Sequence, residues 1–251
     1  MKEIVQSVDR SLGLLELLAE YPNGVSIADL SKASELHKST VHRLLTTLIY
    51  KGFVKQNPAD NTYLLSLKLF ELGASIVNSS SLREVASPHL KALRDLTGEV
   101  VHLVVPEAPY IVYIDKFDSK ETIRMHSSIG KRSPMYCTSV GRAILATYSD
   151  ERIQSIWNES TIEKLTQHTI TDFDSFLEMI NEVRKNQYAE DNEENELQVR
   201  CFGAAIKDYK GETVGAISIS TPIIRLDETR IEQFKQLIIE YSHKISKELG
   251  Y

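Results

Sequence analysis

The 251 residues are 42% hydrophobic and 25% charged, with a formal net charge of −6. These values fit an ordinary globular protein and exclude collagen-like, low-complexity and membrane-spanning classes. Two cysteines, Cys137 and Cys201, and the absence of a leader-like pattern at the start point to a reducing cytoplasm rather than a disulfide framework.

The charge is segregated. Residues 1–66 carry seven Lys/Arg and seven Asp/Glu, so the whole excess of acid lies in 67–251. Between 36 and 59 stand Lys38, Arg43, Lys51 and Lys55, with His37 and His42, and no acidic residue. A local basic face on an acidic chain is sufficient for phosphate contact.

A first helix is predicted over about 7–20, with Val8, Leu12, Leu15 and Ala19 as its core face. Tyr21-Pro22-Asn23-Gly24 ends it. A second opens at Ser26, with Asp29 in the capping-box position, and runs to about Ser34. A third covers about 37–51, setting Val41, Leu44, Leu45 and Leu48 inward and Lys38, Ser39, His42, Arg43 and Thr46 outward, and Gly52 stops it. Strand-like runs at 53–56 and 62–65 flank an Asn/Pro/Asp turn and read as a β-hairpin. Three helices and a hairpin make a winged helix-turn-helix. Ser39, Thr40, His42 and Arg43 then face base edges of double-stranded DNA, while Lys38 and Lys55 hold phosphates. On periodicity alone the same face also fits the solvated side of an ordinary three-helix unit.

Three motifs decide between these readings. Val5-Gln6-Ser7-Val8-Asp9-Arg10-Ser11-Leu12, Lys38-Ser39-Thr40-Val41-His42-Arg43-Leu44-Leu45 and Gly52-Phe53-Val54 resemble the opening, recognition helix and wing entry of IclR-family transcriptional regulators. The likeness continues through Leu69-Phe70-Glu71-Leu72-Gly73 and covers essentially the whole chain. One departure is His37, where the family often has Pro. The resemblance implies a DNA-binding regulator of a catabolic operon, in repressor form, with no cofactor, metal or membrane partner.

Leu65, Leu69, Leu72 and Ile76 form an apolar stripe on a linker helix of about 67–77. The stripe either packs on the winged helix or pairs two subunits into a homodimer, and the family resemblance implies a homotetramer where dimers pair through the sensing domain. The domains expected are therefore a reader over 1–66, a linker over 67–80 and an effector-binding domain over 81–251.

In that last domain a capping box at Ser81-Leu82-Arg83-Glu84 opens a helix ending at Thr97-Gly98. Strands are expected at 100–105, 110–116 and 122–128, a loop at 130–134, and a helix from Ser139 to about Tyr148. Helices near 150–158 and 173–186, strands at 199–207 and 213–220, and a final helix at 228–248 complete it. Strands flanked by segregated helices give an α+β class with an antiparallel central sheet, and the family's effector domains resemble GAF domains.

The segment 130–143 resembles the family's effector loop, and the backbone amides of Ser139, Val140 and Gly141 at a helix start suit an anion. The family pattern carries over Asp191, Cys201, Ser218 and Ser220 as pocket residues, and strand alternation sets Ser218 and Ser220 on one face. Thr122 and Met125 are expected to close the apolar side. The chain departs from the family at Gln198 for a common Gly, Ala205 for Pro and Thr221 for Gly. The ligand expected is a small carboxylate, a sugar acid or 2-keto acid. Read alone, the 191–196 acidic run is a solvated loop and Cys201 a small core residue. Two other classes stay open on residues alone: an enzyme with Cys201 as nucleophile, His102 as base and Asp191 orienting it, and a redox sensor using Cys137 and Cys201.

Overall fold

Periodic leucines in the first fifty residues fold into α1 (Gln6–Ala19), α2 (Ile27–Ala33) and α3 (Lys38–Tyr50). A computed structural model describes residues 4–78, 81–119, 121 and 127–251. By contacts the chain divides into two units, 1–79 and 80–251.

In the first unit, Ser26 caps α2 by accepting from the Asp29 amide at 3.2 Å while its hydroxyl donates to the Asp29 carboxylate at 2.6 Å. The expected box therefore closes through the side chains. Gly52, at φ +80, ends α3 in the left-handed conformation that favours glycine. The hairpin pairs β1 (Val54–Gln56) with β2 (Tyr63–Leu65), antiparallel, in the register Lys55 to Leu64. Leu14, Leu18, Leu30, Val41, Leu45, Leu48, Val54 and Tyr63 form its core.

The α1 face is a correction. Val8 and Leu12 are 55% exposed, Ala19 is exposed and Leu15 only flanks the core; Leu14 and Leu18 fill it. Apolar residues at 12, 14, 15, 17 and 18 offer several helical stripes, and packing against α3 selects one of them. The linker helix α4 (Lys68–Asn78) follows with Leu69 half-buried, Leu72 exposed, and Leu67 and Phe70 exposed beside them. The side chains of Ile76 and Ser81 lie outside the described residues.

The second unit is built on a six-stranded antiparallel sheet among the described residues. Its strands are β3 (Val100–Glu107), β4 (Tyr110–Phe117), β5 (Arg132–Pro134), β6 (Ala189–Asn192), β7 (Val199–Lys207) and β8 (Thr213–Pro222), in the order β5-β4-β3-β8-β7-β6. One face carries Val101, Leu103, Phe202, Ala204, Ile217 and Ile219 and packs on α5 (Ser81–Thr97) and α9 (Glu228–Glu248). The other meets α6 (Ser139–Leu145), α7 (Asp150–Glu159) and α8 (Phe173–Asn186) through Val104, Ile111, Val140, Ile144, Ile153, Phe176 and Ala216.

Two readings change here, and a third lies largely outside the described residues. Residues 132–134 form an edge strand rather than a loop, and β6 takes in 191 and 192, the first two residues of the 191–196 run that read as a loop. The strand expected at 122–128, with Thr122 and Met125, lies outside the described residues except for 127 and 128, which are not strand. Gln198, in place of the family's glycine, takes φ +64, and Glu193 takes φ +62. Both ends of the 193–198 loop thus sit where side chains carry a steric cost, offset by a Gln198 amide donating to Glu193 Oε2 at 2.8 Å.

Candidate functional site

The outer side of α3 is the first candidate surface. Lys38, Ser39, His42 and Arg43 are exposed on it, Thr40 is half-buried, and Lys55 is exposed on β1. Thr46 and Thr47 turn their hydroxyls back onto the carbonyls of His42 and Arg43, at 2.8 and 3.1 Å. His37 occupies the N-cap position without a side-chain bond to the first turn, so the first amides of α3 point outward for an anion. With no acid between 36 and 59, the surface combines cations, hydroxyls and amide donors.

The second candidate is a polar patch on the α6 side of the large sheet. Cross-strand register assembles it in rows. Asp191 pairs with Cys201, Cys201 with Ser220, and Ser220 with Val100. In the next row Gly203 pairs with Ser218, Ser218 with His102, and His102 with Lys116. Alternation gives all of these side chains one face, with neighbouring Cβ atoms about 5 Å apart. Asp191, Ser218, Ser220 and His102 are each at most 5% exposed. The patch is buried and polar.

Gly203 brings α6 to this patch. A Cβ built there would lie 2.7 Å from the Ser139 carbonyl carbon and 2.8 Å from the Val140 nitrogen. Only glycine lets the start of α6 lie on the sheet beside Cys201 and Ser218. Ser139 and Val140, both 2% exposed, are thereby placed at the patch. Thr138 caps α6, accepting from the Gly141 amide at 3.3 Å. This corrects the expectation of three free amides to two, those of Ser139 and Val140.

Arg142 and Glu194 fix the far side. The guanidinium is 1% exposed and makes a bidentate ion pair with Glu194, while its Nε donates to the Tyr136 carbonyl at 2.9 Å and its Nη1 to the Glu190 carbonyl at 3.0 Å. The loop so anchored folds back on Asp191, whose Oδ1 accepts from the amides of Glu194 at 2.9 Å and Asn195 at 3.2 Å.

Burial sets the protonation states. It raises the Asp191 pKa to about 6, against the lowering effect of those two amides and of Arg142. The buried His102 ring is pulled down to about 3, with Lys116 adding to the effect, so it is neutral at physiological pH. Its Nδ1 lies 3.2 Å from the Ser218 hydroxyl and 3.5 Å from that of Ser220, and its Nε2 lies 2.7 Å from Ser127 Oγ. The Cys201 thiol is pushed up by burial and by Asp191, and that of Cys137 to about 12.

These values answer the two chemical alternatives. A nucleophilic or redox-active cysteine needs a lowered pKa and an available base. Here both thiols are raised, and the histidine is a poor base already bonded to three serines.

The structure thus brings Ser139, Val140, Asp191, Cys201, Ser218 and Ser220 together and leaves Thr122 and Met125 undescribed. Sequence reasoning gave no place in the site to Arg142 or Glu194, and weighed His102 only as a base. The available signal was polarity in the wrong place: a histidine amid the apolar run 100–105 and an arginine at the core face of a short helix.

Asp191 yields a pH test. With its folded pKa near 6 and an unfolded value of 3.8, the folded state holds the proton more tightly. Stability is therefore full below about pH 4, falls as pH rises through the 4–6 window, and levels off about 2–3 kcal/mol lower above it. Asp191→Asn keeps the acceptor for the two amides and removes this penalty. The variant should match the parent in chemical denaturation at about pH 4 and exceed it by about 2 kcal/mol at about pH 7.5. An equal difference at both pH values would rule out the buried acid as its source.

Comparison with known proteins gives the same division. The IclR helix-turn-helix domain model matches residues 7–58, and the bacterial transcriptional regulator IclR C-terminal model matches 74–247. The HTH-type transcriptional regulator KdgR of Escherichia coli is 36% identical over 98% of this chain and 94% of its own. The DNA-binding transcriptional repressor YiaJ of the same organism is 34% identical over 98% and 88%. The crystal structure of Thermotoga maritima IclR superposes with a TM-score of 0.83 at 30% identity, covering 98% of this chain and 99% of that one. An IclR homolog from Microbacterium hydrocarbonoxydans, complexed with 4-hydroxybenzoate, shares the fold at 20% identity and a TM-score of 0.82, over 97% and 98%. The relatives are regulators, not enzymes. With a winged helix-turn-helix under one family model and the antiparallel sheet domain under the other, this chain belongs to the IclR family of DNA-binding transcriptional regulators.

Proposed function

We propose that the chain is a cytoplasmic repressor of a catabolic operon, working as a homodimer or homotetramer and controlled by a small carboxylate, a sugar acid or 2-keto acid. In this reading residues 1–66 are the DNA reader, 67–80 the linker and 81–251 the effector domain. The observation that carries it is the buried polar patch of Asp191, Cys201, Ser218 and Ser220 under the start of α6. Polar groups gathered in a largely buried place, with the Asp191 pKa raised by burial, are a candidate binding site.

The Ser139 and Val140 amides and the two serine hydroxyls supply donors for a carboxylate or keto oxygen. Asp191 repels a carboxylate beside it and so faces a ligand hydroxyl, which favours polyhydroxy acids over simple keto acids. The repressor name of YiaJ supports the direction of control. The 4-hydroxybenzoate complex supports a small carboxylate as the ligand class. Among the described residues no helix is long and apolar enough to cross a membrane. Exposed Val8 and Leu12 on α1, with Leu67, Phe70 and Leu72 at α4, supply apolar surface for pairing two readers.

A thermal-shift panel of sugar acids, keto acids, aromatic acids and neutral sugars tests the ligand. Acids should stabilise the parent, and Ser218→Ala with Ser220→Ala should abolish the shift. Stabilisation by neutral compounds alone would sink the carboxylate, and an unchanged response in the double variant would sink the pocket.

On an operator fragment, Arg43→Ala should weaken binding by about 1–3 kcal/mol through a lost base contact. Lys55→Ala should weaken all sequences alike and reduce the salt slope by about one. Operator affinity unchanged by Arg43→Ala would refute the recognition-helix assignment. Light scattering should give a dimer or larger at micromolar protein, and a monomer with and without DNA contradicts the pairing.

A further inference from the structure

We propose that His102 is a positioning residue of the effector site: its ring donates from Nδ1 to the Ser218 and Ser220 oxygens, so that both hydroxyls keep their protons for the ligand. This rests on the effector-site reading above and specifies what kind of ligand atom the site selects.

A neutral imidazole donates from one nitrogen and accepts at the other, and its partners decide which. Three hydroxyls surround this ring. Ser127 Oγ is 2.7 Å from Nε2, whereas Ser218 and Ser220 lie 3.2 and 3.5 Å from Nδ1. The short contact fits a hydroxyl giving its proton to a bare nitrogen, and the two longer ones fit a single N–H shared between two oxygens. In the opposite tautomer the one lone pair on Nδ1 accepts from only one of the two serines.

Charge points the same way. The groups acting electrostatically on the ring are Lys116, which lowers its pKa, and the more weakly acting Asp118. Lys116 donates from Nζ to the Ser127 carbonyl at 2.8 Å, which places its ammonium beside the residue that meets Nε2, and it also pairs with Asp118 at 2.8 Å. A cation at that end favours a lone pair facing it and the N–H at the far end, toward the serines. Tyr113 meets the ring edge-on at 5.1 Å between centroids and holds its plane. The register pairing of His102 with Ser218 fixes the rest.

With Nδ1–H directed at their oxygens, neither serine gives its proton to the ring, and both hydroxyls are left able to donate to the ligand. Two such donors favour a ligand with strong acceptor oxygens, as in a carboxylate or 2-keto group.

The imidazole tautomer is read by long-range proton–nitrogen correlation on the nitrogen-labelled full chain, with the His102 signals identified by their loss in His102→Asn and His102→Leu. His102 should show a protonated Nδ1 and a bare Nε2 throughout about pH 6–8, and Ser218→Ala should move the Nδ1 resonance. A protonated Nε2, an imidazolium, or a Nδ1 resonance unmoved by Ser218→Ala would overturn the assignment. With gluconate and pyruvate as probes, His102→Asn, which keeps an N–H donor, should retain the parent's response, and His102→Leu should need about tenfold more ligand. A parent that ignores every acid while showing Nδ1–H refutes the carboxylate reading and leaves the donor array standing. A parent that responds while showing Nε2–H refutes this inference alone.

Discussion

The polar patch proposed as the effector site depends on one buried cation. Arg142 projects from α6 into the interior and is met on every side: by the Glu194 carboxylate and by the carbonyls of Tyr136 and Glu190. Those partners come from two separate stretches of chain, Tyr136 just before α6 and Glu190 to Glu194 at β6 and its following loop. The ion pair therefore fixes the distance between α6 and the β6–β7 edge, and with it the placement of Asp191 over Cys201. A buried pair of this kind gains little net stability, since desolvation consumes most of the attraction, yet removing either partner costs about 3–5 kcal/mol. Its value lies in position. Gly203 supplies the complementary constraint by letting α6 touch the sheet at Ser139.

Around that anchor the sheet has two unlike faces. Against α5 and α9 it is built from Val, Leu, Ile and Phe, and nothing there calls for a partner beyond the helices. The opposite face changes character along its length, from the apolar Val104, Ile111 and Ala216 beneath α6 to the polar His102, Ser218, Ser220 and Asp191. Apolar side chains in those places would pack at least as well and would spare Asp191 the burial that raises its pKa. A fold that accepts a local penalty of this kind does so where function requires it.

Much of this was legible in the sequence, for identifiable reasons. α3, the wing and α9 have clean periods and firm stops at Gly52, Asn57–Asn61 and Gly250, so the surface patterns of those segments translate directly into structure. α1 misled because five apolar residues between 12 and 18 satisfy more than one stripe. β5 and β6 are three and four residues long, too short to show alternation, and β6 carries Glu190, Asp191 and Asn192, which read as loop. Ser218 and Ser220 followed from the period of two in a strand. Arg142, Glu194 and His102 did not, because their roles arise from tertiary partners, such as Glu194 for Arg142 and Ser218 for His102, which periodicity does not encode.

The two units face different electrostatic demands. Residues 1–66 carry no net charge but a local excess of base between 36 and 59, on α3 and the wing. In the proposed reading this is the side that attracts DNA, while the excess of acid lies in 67–251. Orientation is thus set before any base is contacted. In the proposed reading a ligand acts on the other unit and alters DNA affinity only to the extent that it prefers one conformational state, a coupling of about 1–3 kcal/mol in most such systems. On a single reader that changes occupancy modestly. If two readers share one operator, each relies on the other for effective concentration, and a small change that prevents simultaneous engagement removes the shared part of the affinity as well. The exposed apolar residues on α1 and α4 belong to the reader and linker rather than the ligand pocket, which is where such leverage on paired readers has to be applied.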